Sequence, residues 1–227
     1  MSSILERLAG QLIVSVQADD GSPLRGTAHI LALCRAALLG GAGGLRLRSA
    51  PDIAAVRAIT SVPIIGLTKQ VQPGSPVYIT ATPGEAREVA AAGADVVAFD
   101  ATDLPRPFSV AELVAAIHAA GALAMADIST LEEAQAAYAA GADIVSTTMS
   151  GYTPHSPRQD APDFELMVQL RSAGLAFVAE GRLNTPELAA LARQLVAQAV
   201  VVGSAITRPD VVTGWFLDAL QAEHRDQ

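Results

Sequence analysis

Short runs of apolar residues alternate along this chain with longer Ala-rich stretches that suit helices. The runs fall at residues 12–17, 45–48, 63–68, 96–100, 123–127, 144–148, 177–180 and 200–203, which makes eight predicted strands. Most are continuously apolar rather than alternating with polar positions, the mark of parallel strands buried on both faces. The pieces between them are long enough for crossover helices. The word "AAGAD" occurs at 91–95 and again at 139–143, each time between a helix-like stretch and a strand. Gly93 and Gly141 can there take the left-handed conformation that ends a helix. No linker or composition shift separates the units, and no G-x-G-x-x-G follows the first strand. The pattern predicts one closed (β/α)8 barrel over residues 1–227 rather than an open doubly wound sheet. The first ten residues predict a short extra helix, capped by Ser2 or Ser3 and made apolar on one face by Ile4, Leu5 and Leu8.

In such a barrel the chemistry sits where the strands finish. The polar residues closing the apolar runs are Gln17, Arg46, Lys69, Asp100, Asp127, Thr147 with Thr148, and Glu180. Each alone has a structural alternative: Asp100 or Asp127 as a helix cap, Arg46 as an ion-pair partner. Together they predict a ring around one mouth, because a lysine, an arginine and three carboxylates cost desolvation unless a ligand or partner uses them. After strand seven comes "EGRLNTPE", containing Gly181, and after strand eight "VVGSAITRP". There Gly203 permits close backbone approach and Ser204 opens a short helix. These are the loops in which barrels most often hold phosphate, and Arg182 and Arg208 can supplement the amides. The loop at 150–165 is longer than a simple connection needs, and reads as a lid with Tyr152 at its rim or as a solvated loop. Trp215 and Phe216 in the last helix read as packing or a dimer contact.

Composition changes this picture in three ways. Hydrophobic residues make up 51% of the 227 positions and aromatics 4%, so the core must be built from Ala, Val, Leu and Ile. The formal charge of −8 leaves no basic footprint for nucleic acid or an anionic membrane, so local groups must hold any anionic ligand. The single cysteine, Cys34, excludes an internal disulfide. Glu6 and Arg7 stand where a signal peptide needs an apolar run, and no apolar run could span a bilayer. A cytoplasmic location follows as an expectation. His29, His118, His155 and His224 are scattered, so no metal site is expected, and no cofactor.

Of the fifteen Lys and Arg side chains, fourteen are arginine, and Lys69 is the lone lysine. Arginine stays protonated at any working pH, whereas burial or a neighbouring cation can deprotonate a lysine. Lys69 is thus either a product of compositional habit or a base.

The segments "IVSVQA", "PIIGLTK", "VYITAT", "DVVAFDAT", "MADISTLEEA", "DIVSTTMSGYT", "PDFELM", "VAEGRLNTPE" and "VVVGSAITRP" occur in order over nearly the whole chain. In this order they resemble the N-acetylmannosamine-6-phosphate 2-epimerase family, a metal-independent (β/α)8 barrel. The resemblance implies interconversion of N-acyl-D-mannosamine and N-acyl-D-glucosamine 6-phosphates in sialic acid breakdown, in a homodimer. It carries the catalytic lysine and glutamate onto Lys69 and Glu180, and substrate contacts onto Gln17, Arg46 and Asp127. Arg182, Gly203 and Arg208 become the phosphate-side groups. Two segments depart from the family pattern: "RLRS" stands where R-A-N-G is usual, and "QVQPG" replaces the Arg-Asp that commonly follows the lysine. Both fall at the barrel mouth, where the sugar or its N-acyl group is read.

Epimerisation at C2 requires removing a carbon-bound proton beside the C1 aldehyde of the open-chain sugar and returning one to the other face. Lys69 suits the base, with Glu180 as a second acid/base or as its orienting partner. Two alternatives stay open on the residues alone. A strand-end lysine can also form a Schiff base in a phosphosugar aldolase, and the same mouth could bind a phosphosugar without catalysis.

Overall fold

A computed structural model describes residues 3–195 and 197–222, so Ser2 and His224 lie outside the described residues. The short helix α1 (Ile4–Leu8) precedes β1 (Leu12–Val16) and α2 (Thr27–Leu39), then β2 (Gly44–Arg48) and α3 (Ala50–Arg57), β3 (Ile64–Leu67) and α4 (Pro83–Ala91). The second half runs β4 (Val96–Asp100), α5 (Val110–Ala119), β5 (Leu123–Asp127), α6 (Leu131–Ala139) and β6 (Ile144–Ser146). It continues through α7 (Phe164–Ser172), β7 (Phe177–Glu180), α8 (Pro186–Gln194) and β8 (Ala199–Val202), then α9 (Ser204–Thr207) and α10 (Pro209–Ala222). All eight strands pair in parallel and in sequence order, and β8 returns to β1 with Val202 opposite Val14. This is the (β/α)8 barrel that the apolar runs predict. The sixth run was expected to stay extended to residue 148. Its strand ends at Ser146 instead, and a 3-10 turn, Thr147–Met149, carries the chain inward over the mouth.

Period-two alternation sorts the strand residues into two cores. Ile13, Ile65, Val96, Ala98, Met125, Ile144, Val178, Ala199 and Val201 fill the barrel, and Leu8 of α1 closes its floor against them. The opposite faces, including Val14, Leu45, Ile64, Val97 and Phe99, pack against the helices. Ser3 caps α1 in a reciprocal box with Glu6, and the same S/T-x-x-E device opens α4 (Thr82, Glu85), α5 (Ser109, Glu112) and α6 (Thr130, Glu133).

The repeated "AAGAD" word does the same work twice. Gly93 and Gly141 have φ of 104° and 95°, as a left-handed helix end requires. The following aspartate then reaches sideways. Asp95 Oδ2 accepts the N–H that opens β3 at Ile64 (2.8 Å), and Asp143 Oδ2 accepts that of Ala124 in β5 (2.7 Å). Each word thus ends a helix and fixes the start of a neighbouring strand.

Candidate active site

The inward-facing position at the end of each strand is where the barrel core gives way to polar groups. A cavity of about 330 Å³ opens there, lined among others by Ser15, Gln17, Arg46, Lys69, Tyr78, Thr148, Glu180, Gly203 and Arg208. At its base lies Arg46, 1% exposed. Its Nη2 is 2.6 Å from Asp127 Oδ2, its Nη1 3.2 Å from Asp127 Oδ1 and 2.8 Å from Glu180 Oε2. Burial works against the charge on Arg46, but Asp127 and Glu180 more than offset it and hold the guanidinium charged. Its Nε is buried without a protein partner, as is Oε1 of Gln17, whose amide nitrogen donates to Ser15 Oγ at 2.9 Å. A buried polar atom of this kind usually finds its partner in a ligand or ordered water.

Lys69 stands two residues beyond β3, half-buried, in the wall of the same cavity. The chain turns back after it, so that Ile79 pairs with Lys69 in an antiparallel bridge, and Gln70 donates its N–H to Tyr78 O at 2.9 Å. No carboxylate pairs with its ammonium among the described residues. Burial lowers the lysine pKa, helped by Arg46 and Arg48 and opposed by Glu180 and Asp19. Arg48 sits above it, donating from Nη2 to Asp20 Oδ2 (3.1 Å) and to the Lys69 carbonyl (3.4 Å).

Other sequence-predicted residues lie where strand order did not foretell. Asp127 is fully buried and does not line the cavity; it lies under Arg46 and accepts from Thr148 Oγ1 at 3.0 Å. Asp100, also fully buried, turns away to accept from Thr102 N (2.9 Å) and from Arg106 Nη2 (3.3 Å). Neither caps a helix: Ser109 and Thr130 do. Thr147 leaves the mouth because its hydroxyl spans the backbone of Glu180, accepting from N at 3.0 Å and donating to O at 2.8 Å.

Around the rim, Arg182 donates from Nε to Ala161 O (2.7 Å) and from Nη1 to Ser150 O (2.9 Å), stitching the 150–163 loop to the end of β7. Tyr152, 65% exposed, lies with its ring centre 5.5 Å from that guanidinium, in cation–π range. The long loop is therefore folded down against the strand end. Gly181, Gly203 and Ser204 line the cavity, and α9 starts at Ser204, where the first amides of a helix have no partner four residues back. Arg208 beside them is held by Asp210 (3.1 and 2.8 Å) and Asp19 (2.7 Å), which raise its pKa. Several cavity residues carry no strand-end signal, Tyr78 and Asn184 among them. Tyr78 arrives on the returning segment after Lys69, its hydroxyl pKa raised by burial, Asp100 and Asp127, and Asn184 comes from the β7–α8 loop. The proline-glycine pair at 73–74, with Gly74 at φ 73°, was the available sign of that return. Among the described residues no cluster of His, Cys, Asp or Glu could hold a metal, and no helix is long and apolar enough to cross a membrane.

This geometry combines an unpaired half-buried lysine, a buried arginine shared by two carboxylates, and free amides beside an arginine. Three comparisons bear on it. Residues 30–222 match the family model NanE, described as "Putative N-acetylmannosamine-6-phosphate epimerase". The chain is 47% identical over 222 residues to the bifunctional enzyme NanE/NanK of Brucella melitensis, covering 98% of this chain but 43% of that protein's length. A Vibrio cholerae protein with the family description, as a 2-epimerase, is 46% identical over 215 residues, 95% of this chain and 89% of its own. The solved structure of the N-acetylmannosamine-6-phosphate 2-epimerase from Clostridium perfringens superposes with a TM-score of 0.93 at 42% identity, over 96% of both chains.

Proposed function

The chain belongs to the N-acetylmannosamine-6-phosphate epimerase (NanE) family, and from that premise we propose that it interconverts N-acyl-D-mannosamine 6-phosphate and N-acyl-D-glucosamine 6-phosphate by proton transfer at C2, in sialic acid catabolism. The observation that carries this reading is Lys69. A lone lysine, half-buried, without an ion pair and with its pKa lowered by burial and Arg46, is suited to take a carbon-bound proton near neutral pH.

On this reading Lys69 removes the C2 proton of the open-chain sugar. Negative charge then grows on the C1 oxygen, and Arg46 and Glu180 stand at the floor of the cavity to stabilise or protonate it. Gln17 Oε1 and Arg46 Nε have their hydrogen-bonding capacity free for the sugar. Asp127 acts through Arg46, not on the sugar directly. The phosphate would lie by Gly181, Gly203 and Ser204 with Arg208, displacing Asp19 from that arginine. Arg182 holds Tyr152 and the long loop at the rim. Anchoring the phosphate fixes C2 in front of the lysine.

We read residues 1–227 as one barrel domain, cytoplasmic, needing no metal or cofactor and working as a homodimer. Support for pairing comes from α10, which leaves Phe216, Leu217 and Leu220 exposed, and from an open apolar groove over β8 lined by Leu12, Ala189, Val200, Val202 and Ile206.

Incubation of the protein with N-acetylmannosamine 6-phosphate in deuterated water tests the reaction. Deuterium is expected at C2 of the glucosamine product; product without it removes the deprotonation mechanism, and no turnover removes the epimerase reading. Borohydride in the presence of substrate should not trap the protein, since an imine would mark aldolase chemistry instead.

A further inference from the structure

One hydroxyl stands between the two carboxylates beneath the cavity. Thr148 Oγ1 is 3.0 Å from Asp127 Oδ1 and 2.9 Å from Glu180 Oε2, and Ser146 Oγ is 2.8 Å from the same threonine oxygen. Three short oxygen–oxygen contacts therefore converge on one atom. Each needs a hydrogen between its oxygens, because two lone pairs at that separation repel. Ser146 supplies one hydrogen and Thr148 another. With both carboxylates ionised, the third contact has none.

A single proton on the carboxylate pair completes the set in either of two arrangements. Asp127 donates to Thr148 while Thr148 donates to Glu180, or Glu180 donates to Thr148 while Thr148 donates to Asp127. Ser146 donates to Thr148 in both. Charge counting agrees: among the described residues Arg46 is the one cation bonded to the two acids, and a basic Lys69 is neutral, so two bare carboxylates would leave a net negative charge around the fully buried Asp127. Burial pushes the Asp127 carboxyl up to about 6, against the pull of Arg46. The charged and titratable groups around it are Arg46 from β2, Glu180 from β7 and Tyr78 from the segment after β3, with Asp100 in register on β4 but bonded to Thr102 and Arg106.

Resting on the reading of Lys69 as base, we infer that Thr148 is a positioning residue that lets Asp127 and Glu180 share one proton and pass it to the substrate. As the Asp127 O–H bond breaks, its proton joins Thr148 Oγ1, and the threonine's own proton moves to Glu180 Oε2. The C1 oxygen, made negative when Lys69 takes the C2 proton, forms its O–H bond with the proton of Glu180. The same proton returns to Glu180 when the aldehyde re-forms and Lys69 reprotonates C2. The pair gains and loses nothing over a turnover.

Thr148→Val removes the relay hydroxyl at nearly constant shape, and Thr148→Ser keeps it. The valine variant is expected to lose about tenfold or more in kcat, with KM within about threefold of wild type and the alkaline limb of the pH profile, where the pair gives up its proton, displaced. Serine is expected to restore the limb. A valine variant with wild-type kcat and an unmoved limb overturns the inference. Infrared spectra of the wild type between about pH 5 and 6, where ordinary carboxyls are ionised, decide it even if the valine variant fails to fold: a protonated-carboxyl band lost in Asp127→Asn supports the shared proton, and no such band overturns it. A wild type inactive as an epimerase would sink the base reading instead, while the infrared count would still settle whether the pair is protonated.

Discussion

Lys69 owes its readiness as a base to what surrounds it more than to its own chemistry. Replacing it with arginine keeps the charge and most of the length but leaves no proton that can be given up near neutral pH. Lys69→Arg is expected to lower kcat by roughly two to four orders of magnitude, while calorimetry still detects phosphosugar binding through the untouched loops after β7 and β8. A variant retaining more than about a tenth of wild-type turnover would return Lys69 to compositional habit, since losing a general base costs far more. The pH dependence follows from the lowered pKa. The ammonium form is inactive as a base, so kcat/KM rises with pH through the Lys69 ionisation, and the inflection falls below the ordinary lysine range. Arg48→Gln removes a nearby cation and should move that inflection upward. A profile unchanged by the substitution would mean that Arg48, held by Asp20 and the Lys69 carbonyl, serves only the loop.

At the scale of the element, the strands were legible because burial on both faces writes an apolar run that few helices share. The run at 96–100 is strand β4 at the expected bounds, and so are those at 123–127 and 177–180. Depth was not legible. Asp127 and Glu180 both close an apolar run, yet one is sealed under Arg46 and the other lines the cavity, because which level of the barrel a strand end reaches depends on stagger between strands. Tyr78 was missed for a related reason, since its place depends on a backbone reversal after β3 and not on the strand itself. Glycine in the middle of β3 shows a constraint of the opposite kind. A Cβ on Gly66 would come within 2.8 Å of Ile53, Ala94 and Val89 on the helix-facing side. Gly66→Ala should destabilise the fold by about 1–3 kcal/mol through overpacking, read as a lower midpoint in urea. An unchanged midpoint would mean that α3 and α4 move aside freely.

For the molecule as a whole, the exposed apolar side of α10 is the feature that single-chain packing leaves unaccounted for. Phe216→Glu together with Leu220→Glu should shift sedimentation toward the monomer, whereas an unaltered dimer would place the interface elsewhere. Treatment with a chelator should leave turnover intact; loss of activity restored by a divalent ion would require ligands that the described residues do not group. The scarcity of lysine also has a practical side. Protein grown on lysine labelled with an isotope of nitrogen at the side chain would give a single amino resonance, from a group set in the cavity wall beside Arg46. That resonance needs no assignment. Its titration would report the charge of the proposed base directly, and its response to added phosphosugar would show whether the ligand arrives beside it.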